Sequence, residues 1–348
     1  MLLFRPEILL GENMLGDKVL IIAEAGVNHN GDMGMARELV HAAADAKVDA
    51  VKFQTFRAES LVRRNTAKAD YQIARTGNSE GQFEMLKRLE LSWDAHYELQ
   101  ELAHSLGIEF MSTPFDTECA DFLAKLGVKR FKIPSGEITN YPYLRHIARL
   151  GIPSIFSTGM SDMEDIRACL NTLTTNGLHK NQISVLHCNT EYPTPFEDVN
   201  LRAMQAIHEA FQVEVGYSDH TAGAEVSIAA VAMGAKVIEK HFTLDKTLPG
   251  PDHLASLEPG ELKSMVQAIR NISLALGYPH KSISRSEAKN RHAARKSIVA
   301  ATKIAKGEAF TESNLTTKRP GSGVSPMLWP EYISKVATKN YEPDDLIE

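Results

Sequence analysis

Cysteine, net positive charge and long apolar runs are what this sequence has little of. Three cysteines occur, Cys119, Cys169 and Cys188, with no CxxC pair and no metal-type spacing. That excludes a disulfide framework and a cysteine-built zinc site, and reads as buried thiols in a reducing compartment. Acidic residues outnumber basic ones by 44 to 38, for a formal net charge of −6, which argues against a general affinity for nucleic acid. No run is long enough to span a bilayer. The opening stretch "MLLFRPEILLGENML" is interrupted by Arg5, Glu7 and Glu12 and so lacks a signal-peptide core. The expectation is a cytoplasmic protein that meets neither membrane nor nucleic acid and whose ligand is a small anion.

What is present is a repeated pattern. Eight short runs rich in β-branched and aromatic residues each end in polar groups: "VLIIAEAG" (19–26), "DAVKFQT" (49–55), "IEFMSTPF" (108–115), "RFKIPSGE" (130–137), "PSIFSTGM" (153–160), "ISVLHCNTEYP" (183–193), "VEVGYSDHT" (213–221) and "VIEKHFTLD" (237–245). Between them lie segments with apolar residues at helical spacing, such as "MGMARELVHAAADAK" and "NLRAMQAIHEAF". Strands alternating with helices over roughly 250 residues predict a TIM (β/α)8 barrel. The second-to-third step carries an insertion that includes "RRNTAKADYQIARTGN". An insertion on a βα loop sits over the active-site face, so it is expected to form part of a substrate lid.

Strand C-terminal ends build the active site of such a barrel, and alternation says which residues face it. Glu239 and His241 share one face, as do Ser218 and His220, and Lys52 and Gln54. Neighbouring strands are ~4.8 Å apart, so His220 and His241 can share one divalent metal, with Glu24 completing the set from the first strand. A lone buried histidine is more often part of a core. Two at adjacent strand ends, each beside a carboxylate (Asp219, Glu239), favour a metal.

Lys52 and Lys132 end the second and fourth strands, and a lysine inside a barrel must meet an anion or do chemistry. Ser112, Thr113, Ser135, Ser157 and Thr158 add hydroxyl donors around them, and the set predicts a phosphate and carboxylate pocket. A Schiff-base lysine remains the alternative. Glu24 and Glu137 are candidate general acids or bases, although Glu137 reads equally well as a loop salt bridge. Tyr192 and Asp252 are weaker candidates. The composition fits phosphoenolpyruvate condensing with a metal-polarised carbonyl.

After residue 277, "YPHKSISRSEAKNRHAARK" is polar and basic with little apolar periodicity. It is expected to be a linker over 278–291 between a barrel over 1–277 and a small domain over 292–348.

The ordered motifs "IIAEAGVNHNG", "AVKFQT", "STPFD", "KIPSGE", "STGM", "LHCNTEYPTPFEDVNL", "GYSDHT", "IEKHFTLD", "GPDHLASLEP" and "KRPGSG" resemble the sialic acid synthases from about residue 18 onward. The resemblance implies condensation of phosphoenolpyruvate with open-chain N-acetylmannosamine, giving N-acetylneuraminate and phosphate. The close sister is the legionaminic acid synthases, which use 2,4-diacetamido-2,4,6-trideoxymannose. It further implies a divalent metal, usually manganese with magnesium or cobalt as alternatives, on His220 and His241, and an antifreeze-like (SAF) tail domain. Phosphoenolpyruvate would contact Lys52, Thr113, Lys132, Ser135, Ser157 and Ser218. Thr190 stands where the family often has an asparagine, with Asn189 beside it. Around the N-acetylated sugar the resemblance sets Gln54, Glu137, Tyr192 and Asp252, joined by Arg319 from the partner chain of a domain-swapped homodimer. Glu24 becomes a catalytic carboxylate. A phosphorylated acceptor stays open because of Arg63, Arg64 and Arg75 on the insertion, and a non-catalytic sugar-binding protein would be told apart by its failure to release phosphate.

Overall fold

The computed structural model describes residues 18–69, 72, 73, 76, 77 and 80–348. The opening stretch 1–17 and Arg75 lie outside the described residues. Eight parallel strands, β1 (Leu20–Gly26), β2 (Ala50–Thr55), β3 (Glu109–Pro114), β4 (Phe131–Ile133), β5 (Ser154–Ser157), β6 (Ile183–Cys188), β7 (Glu214–Asp219) and β8 (Val237–His241), form one sheet. Its hydrogen-bonded order is β3-β2-β1-β8-β7-β6-β5-β4, and β3 packs beside β4 to close the ring. The fold is a TIM barrel, and each predicted strand begins within one residue of its predicted start.

The alternation that marks a strand also sorts its side chains here. One face of each strand joins the helices in the main apolar core. The other looks into the lumen, where Ile22, Ala50, Met111, Ile155, Leu186 and Val237 pack as a hydrocarbon layer. Two residues further along the same strands stand Glu24, Lys52, Thr113, Ser157, Cys188 and Glu239. The lumen thus changes from hydrocarbon to ionisable groups within one strand step, at the C-terminal end.

The helices start where short polar side chains take the first free N–H groups. Asp32 caps Met33–Asp45, Ser92 caps Trp93–Ser105 and Asp116 caps Thr117–Leu126. The insertion after β2 carries the helices Ala58–Leu61 and Gln82–Leu89. Its Met85 and Leu89 pack with Val27 and Phe56 in a small apolar cluster of their own.

The chain divides after Gly277 into two compact units. In the second, β9 (Ser297–Ala300) pairs antiparallel with β10 (Leu315–Lys318), over a core that includes Ile298, Ile304, Phe310, Leu315 and Tyr341. The expected linker is not structureless. Ser284 and Glu287 form a capping box that starts a helix over Arg285–Ala294, none of whose residues is buried. The lack of apolar periodicity is that of an exposed helix, so apolar spacing gave no sign of it, whereas the cap pair Ser284 and Glu287 did. Among the described residues no helix is long and apolar enough to cross a membrane.

Gly216 shows how tightly the lumen is filled below the polar layer. A Cβ there would lie 2.2 Å from the Val237 carbonyl oxygen and 2.7 Å from Leu186 Cδ2, so β7 and β8 come together only without a side chain. Gly216→Ala is expected to destabilise the barrel by about 1–3 kcal/mol, the range for overpacking, read as a lower denaturant midpoint in chemical unfolding. An unchanged midpoint would show that the lumen has slack.

Candidate active site

Glu239 is the hub of the polar layer. Its Oε1 lies 3.2 Å from Lys132 Nζ and accepts a 2.9 Å hydrogen bond from Ser218 Oγ, while its Oε2 is 3.5 Å from Lys52 Nζ. Lys52 also lies 2.7 Å from Glu24 Oε2 and donates to Thr113 Oγ1 at 2.9 Å. The strand register explains this: Glu24 pairs with Lys52 across β1–β2, and Ser218 with Glu239 across β7–β8. All of these side chains are buried.

Burial and charge pull the two carboxyls apart. For Glu24, burial is the largest influence and raises it to about 7 despite Lys52 nearby. Burial also acts to raise Glu239, but Lys132, Lys52 and the Ser218 hydrogen bond outweigh it and hold that carboxylate well below its usual range. Lys52 is raised, since Glu239 and Glu24 overcome its desolvation. Glu239 is therefore a fixed anion, and Glu24 is poised to exchange a proton near neutrality.

His220 and His241 lie beside this network with ring centroids 5.5 Å apart. His220 Nδ1 hydrogen-bonds the Asn189 carbonyl, which requires Nδ1 to be the donor and leaves Nε2 as the acceptor nitrogen. Tyr192 stacks on that ring at 4.2 Å and its hydroxyl donates to Nε2 at 3.2 Å. His241 Nδ1 is buried with no hydrogen-bond partner. Burial lowers both histidines, His220 to about 4, so both rings are neutral at pH 7, as metal ligation requires. Among the described residues no group of three or more His, Cys, Asp or Glu is arranged to hold a metal. Glu24 is turned toward Lys52 and is not a third ligand beside the two histidines. The donor set fits a metal with two protein ligands and open positions for water or substrate.

Above the network is a cavity of about 630 Å3, a size suited to small-molecule substrates. The residues expected to meet phosphoenolpyruvate, Lys52, Thr113, Lys132, Ser135, Ser157 and Ser218, all line it, and so does Thr190. Ser157 Oγ is buried without a partner, a hydroxyl left for a ligand. Glu24, Gln54, Tyr192, Asp252, His220 and His241 complete that wall. Gly26, at φ +53, turns the chain aside above Glu24; a Cβ there would press on Glu24 Oε1 at 3.3 Å and on His241 Cε1 at 3.4 Å.

Several expected residues lie elsewhere. Glu137 does not line the cavity; it sits in the turn Ser135–Glu137 and accepts from Asn140 Nδ2. Arg319 is exposed in the second unit, just past β10. Ser112 and Thr158 are turned away from the cavity, Ser112 to Thr55 and Thr158 to the Leu186 carbonyl. Asp219 also points out of the lumen. It pairs with Lys240 at 3.2 Å and accepts from Ser227 and Thr221, as its odd place between Ser218 and His220 dictates. Glu239 was readable as inward-facing from the same alternation, but it counted only as a carboxylate beside His241, because its lysine partners come from distant strands. The insertion contributes Leu61, Val62, Gln72, Gln82 and Leu86 to the cavity, in line with the expected lid.

Comparison with known proteins bears on the whole chain. Residues 39–281 match the NeuB family and residues 295–348 the SAF domain. The N,N'-diacetyllegionaminic acid synthase of Campylobacter jejuni subsp. jejuni serotype O:2 is 54% identical over 95% of this chain and 99% of its own. That of Legionella pneumophila subsp. pneumophila is 53% identical over 88% of this chain and 86% of its own. The crystal structure of the N-acetylneuraminic acid synthetase from Leptospira borgpetersenii serovar Hardjo-bovis superposes with a TM-score of 0.69 at 34% identity, covering 78% of this chain and 90% of that one. With its barrel and SAF domain, this chain belongs to the NeuB family, the phosphoenolpyruvate-dependent condensing enzymes of sialic acid synthase type.

Proposed function

We propose that this enzyme condenses phosphoenolpyruvate with open-chain 2,4-diacetamido-2,4,6-trideoxymannose to give N,N'-diacetyllegionaminic acid and phosphate. The observation that carries the choice of sugar is the 54% and 53% identity to two N,N'-diacetyllegionaminic acid synthases over most of each chain. The same finding overturns the expected N-acetylneuraminate product. Sequence motifs common to both branches could not separate them, because the sugar-facing wall is assembled from dispersed residues.

In this reading Lys52 and Lys132 bind the phosphate and carboxylate of phosphoenolpyruvate, with Thr113, Ser135, Ser157, Thr190 and Ser218 donating hydrogen bonds. His220 and His241 would hold a divalent metal, manganese by first choice. When bound, that metal supplies Lewis-acid polarisation of the acceptor's carbonyl oxygen. C3 of phosphoenolpyruvate attacks the sugar aldehyde carbon, whose oxygen becomes a hydroxyl by gaining the proton that water addition releases through Glu24. A water adds at C2, with Glu24 taking its proton, and phosphate leaves from the resulting tetrahedral carbon. Gln54, Tyr192 and Asp252 face the sugar. Three free, buried cysteines accord with a cytoplasmic enzyme.

The deciding assay is phosphate release from phosphoenolpyruvate with manganese, comparing the diacetamido sugar with N-acetylmannosamine. The diacetamido sugar is expected to be turned over at least about 10-fold faster, a ratio of the size substituent recognition supplies, and chelation should abolish release. Faster turnover of N-acetylmannosamine, or activity that survives chelation, would overturn the reading.

Asp252 gives a pH test of the sugar side. It is buried, and burial raises its carboxyl to about 6. The folded state therefore holds a proton that the unfolded state has lost between about pH 4 and 6, and stability falls as pH rises through that window. Asp252→Asn is expected to stabilise the protein by up to about 3 kcal/mol above pH 6 and by almost nothing at pH 4, read by thermal melts. A loss of stability above pH 6 would mean the carboxyl is charged and paired, and a gain independent of pH would mean that its titration is not shifted by folding.

Arg319 is proposed, from the family resemblance, to serve the sugar site of the partner in a homodimer. Inactive Arg319→Ala and Lys52→Ala chains, refolded together, should then recover part of the activity; no recovery would count against a shared site.

A further inference from the structure

The catalytic cavity has two unlike walls. Its floor is the buried network of Lys52, Lys132, Glu24 and Glu239. The wall contributed by the insertion is apolar: Leu61, Val62 and Leu86 line the cavity and are only half-buried. Met85 and Leu89 line the cavity as well and pack on Val27 and Phe56, which holds this wall in place. Two side-chain amides, Gln72 and Gln82, stand in the same wall, with Gln82 Nε2 donating to Gln72 Oε1 at 3.4 Å.

A polar sugar meets such a wall at a cost, because a hydroxyl set against hydrocarbon loses its water without gaining a partner. The diacetamido acceptor differs from N-acetylmannosamine at two places. C6 is a methyl in place of a hydroxymethyl, and C4 carries an acetamido group in place of a hydroxyl. With the aldehyde carbon beside the lysines and histidines of the floor, C4 to C6 are the end of the acceptor free to reach the wall that the insertion adds to the same cavity.

We propose that Leu61, Val62 and Leu86 are specificity-determining residues that select the 6-deoxy, 4-acetamido end of the acceptor, with Gln72 and Gln82 as amide partners for its acetamido group. The inference rests on the diacetamido-sugar reading above and adds which residues make the choice. The C6 methyl and the acetamido methyl bury against Leu61, Val62 and Leu86, whereas the C4 and C6 hydroxyls of N-acetylmannosamine find no partner on those carbons. A hydrophobic surface separates ligands that differ by a methyl or hydroxyl by roughly 10- to 100-fold.

The test is kcat/KM for both sugars, and KM for phosphoenolpyruvate, in the wild type and in Leu86→Asn. The expected result is a loss of roughly 10- to 100-fold for the diacetamido sugar, a much smaller change for N-acetylmannosamine and an unchanged KM for phosphoenolpyruvate. Equal losses for both sugars would overturn the proposal by making the wall a water shield without selectivity, and an unchanged ratio would overturn it as well. Val62→Thr keeps the side-chain shape while exchanging one methyl for a hydroxyl, and gives the same readout if Leu86→Asn fails to fold. Failure of the functional reading is visible separately, since a wild type that prefers N-acetylmannosamine or uses neither sugar shows it before any variant is compared.

Discussion

Everything at the top of this barrel depends on a buried charge network in which Glu239 is shared by Lys132 and Lys52, and Lys52 in turn holds Glu24. Removing one partner from such a set leaves an uncompensated charge, at a cost of about 3–5 kcal/mol. The side chains are therefore stable as a set and expensive singly. The same logic suits the network to an anion, since a phosphate or carboxylate beside the two lysines would add negative charge where positive charge is buried. Glu24, raised to about 7, then carries the adjustable charge, while Glu239, held deprotonated, keeps the lysines in position.

A second ion pair lies back to back with this one. Asp219 and Lys240 are fully buried on the outer face of β7 and β8, and Lys240 also donates to the Thr221 carbonyl at 2.6 Å. Each precedes a histidine of the site by one residue. Because successive side chains in a strand point to opposite faces, the outer pair ties the two strand ends together from behind while His220 and His241 occupy the front. The spacing of the two imidazoles is thus a property of the sheet, with Asn189 and Tyr192 adding the ring orientation.

How much of this was legible in the sequence follows from the length scale of each signal. Strand identity and facing are local, repeating every two residues, so the barrel and the inward set of Lys52, Lys132, Ser218, His220, Glu239 and His241 could be read directly. Partnership across strands is not local. The role of Glu239 depends on lysines more than 100 positions away, and Asp219 was misjudged by counting it as a neighbour of His220 when alternation turns it outward. Glu137 lies beyond the reach of that signal: β4 ends at Ile133, so alternation no longer governs a residue in the turn that follows, where Asn140 donates to its carboxylate. The helix Arg285–Ala294 was missed because apolar periodicity detects only helices that bury a face, and this one buries none.

The sugar is the case where local reading fails most completely. Donor chemistry requires fixed charges at fixed strand ends, and those leave motifs such as "KIPSGE" and "IEKHFTLD". Acceptor choice requires only a surface of the right polarity, and Leu61, Val62 and Leu86 supply it from an insertion whose backbone path the barrel does not dictate. Any aliphatic residue that keeps the wall dry would serve, so no single identity is demanded there. The division is physical: buried charge constrains sequence residue by residue, because each group needs a specific partner, whereas an apolar wall constrains only composition. Enzymes built on one barrel and one donor can therefore diverge in acceptor through the lid while the strand ends stay as they are.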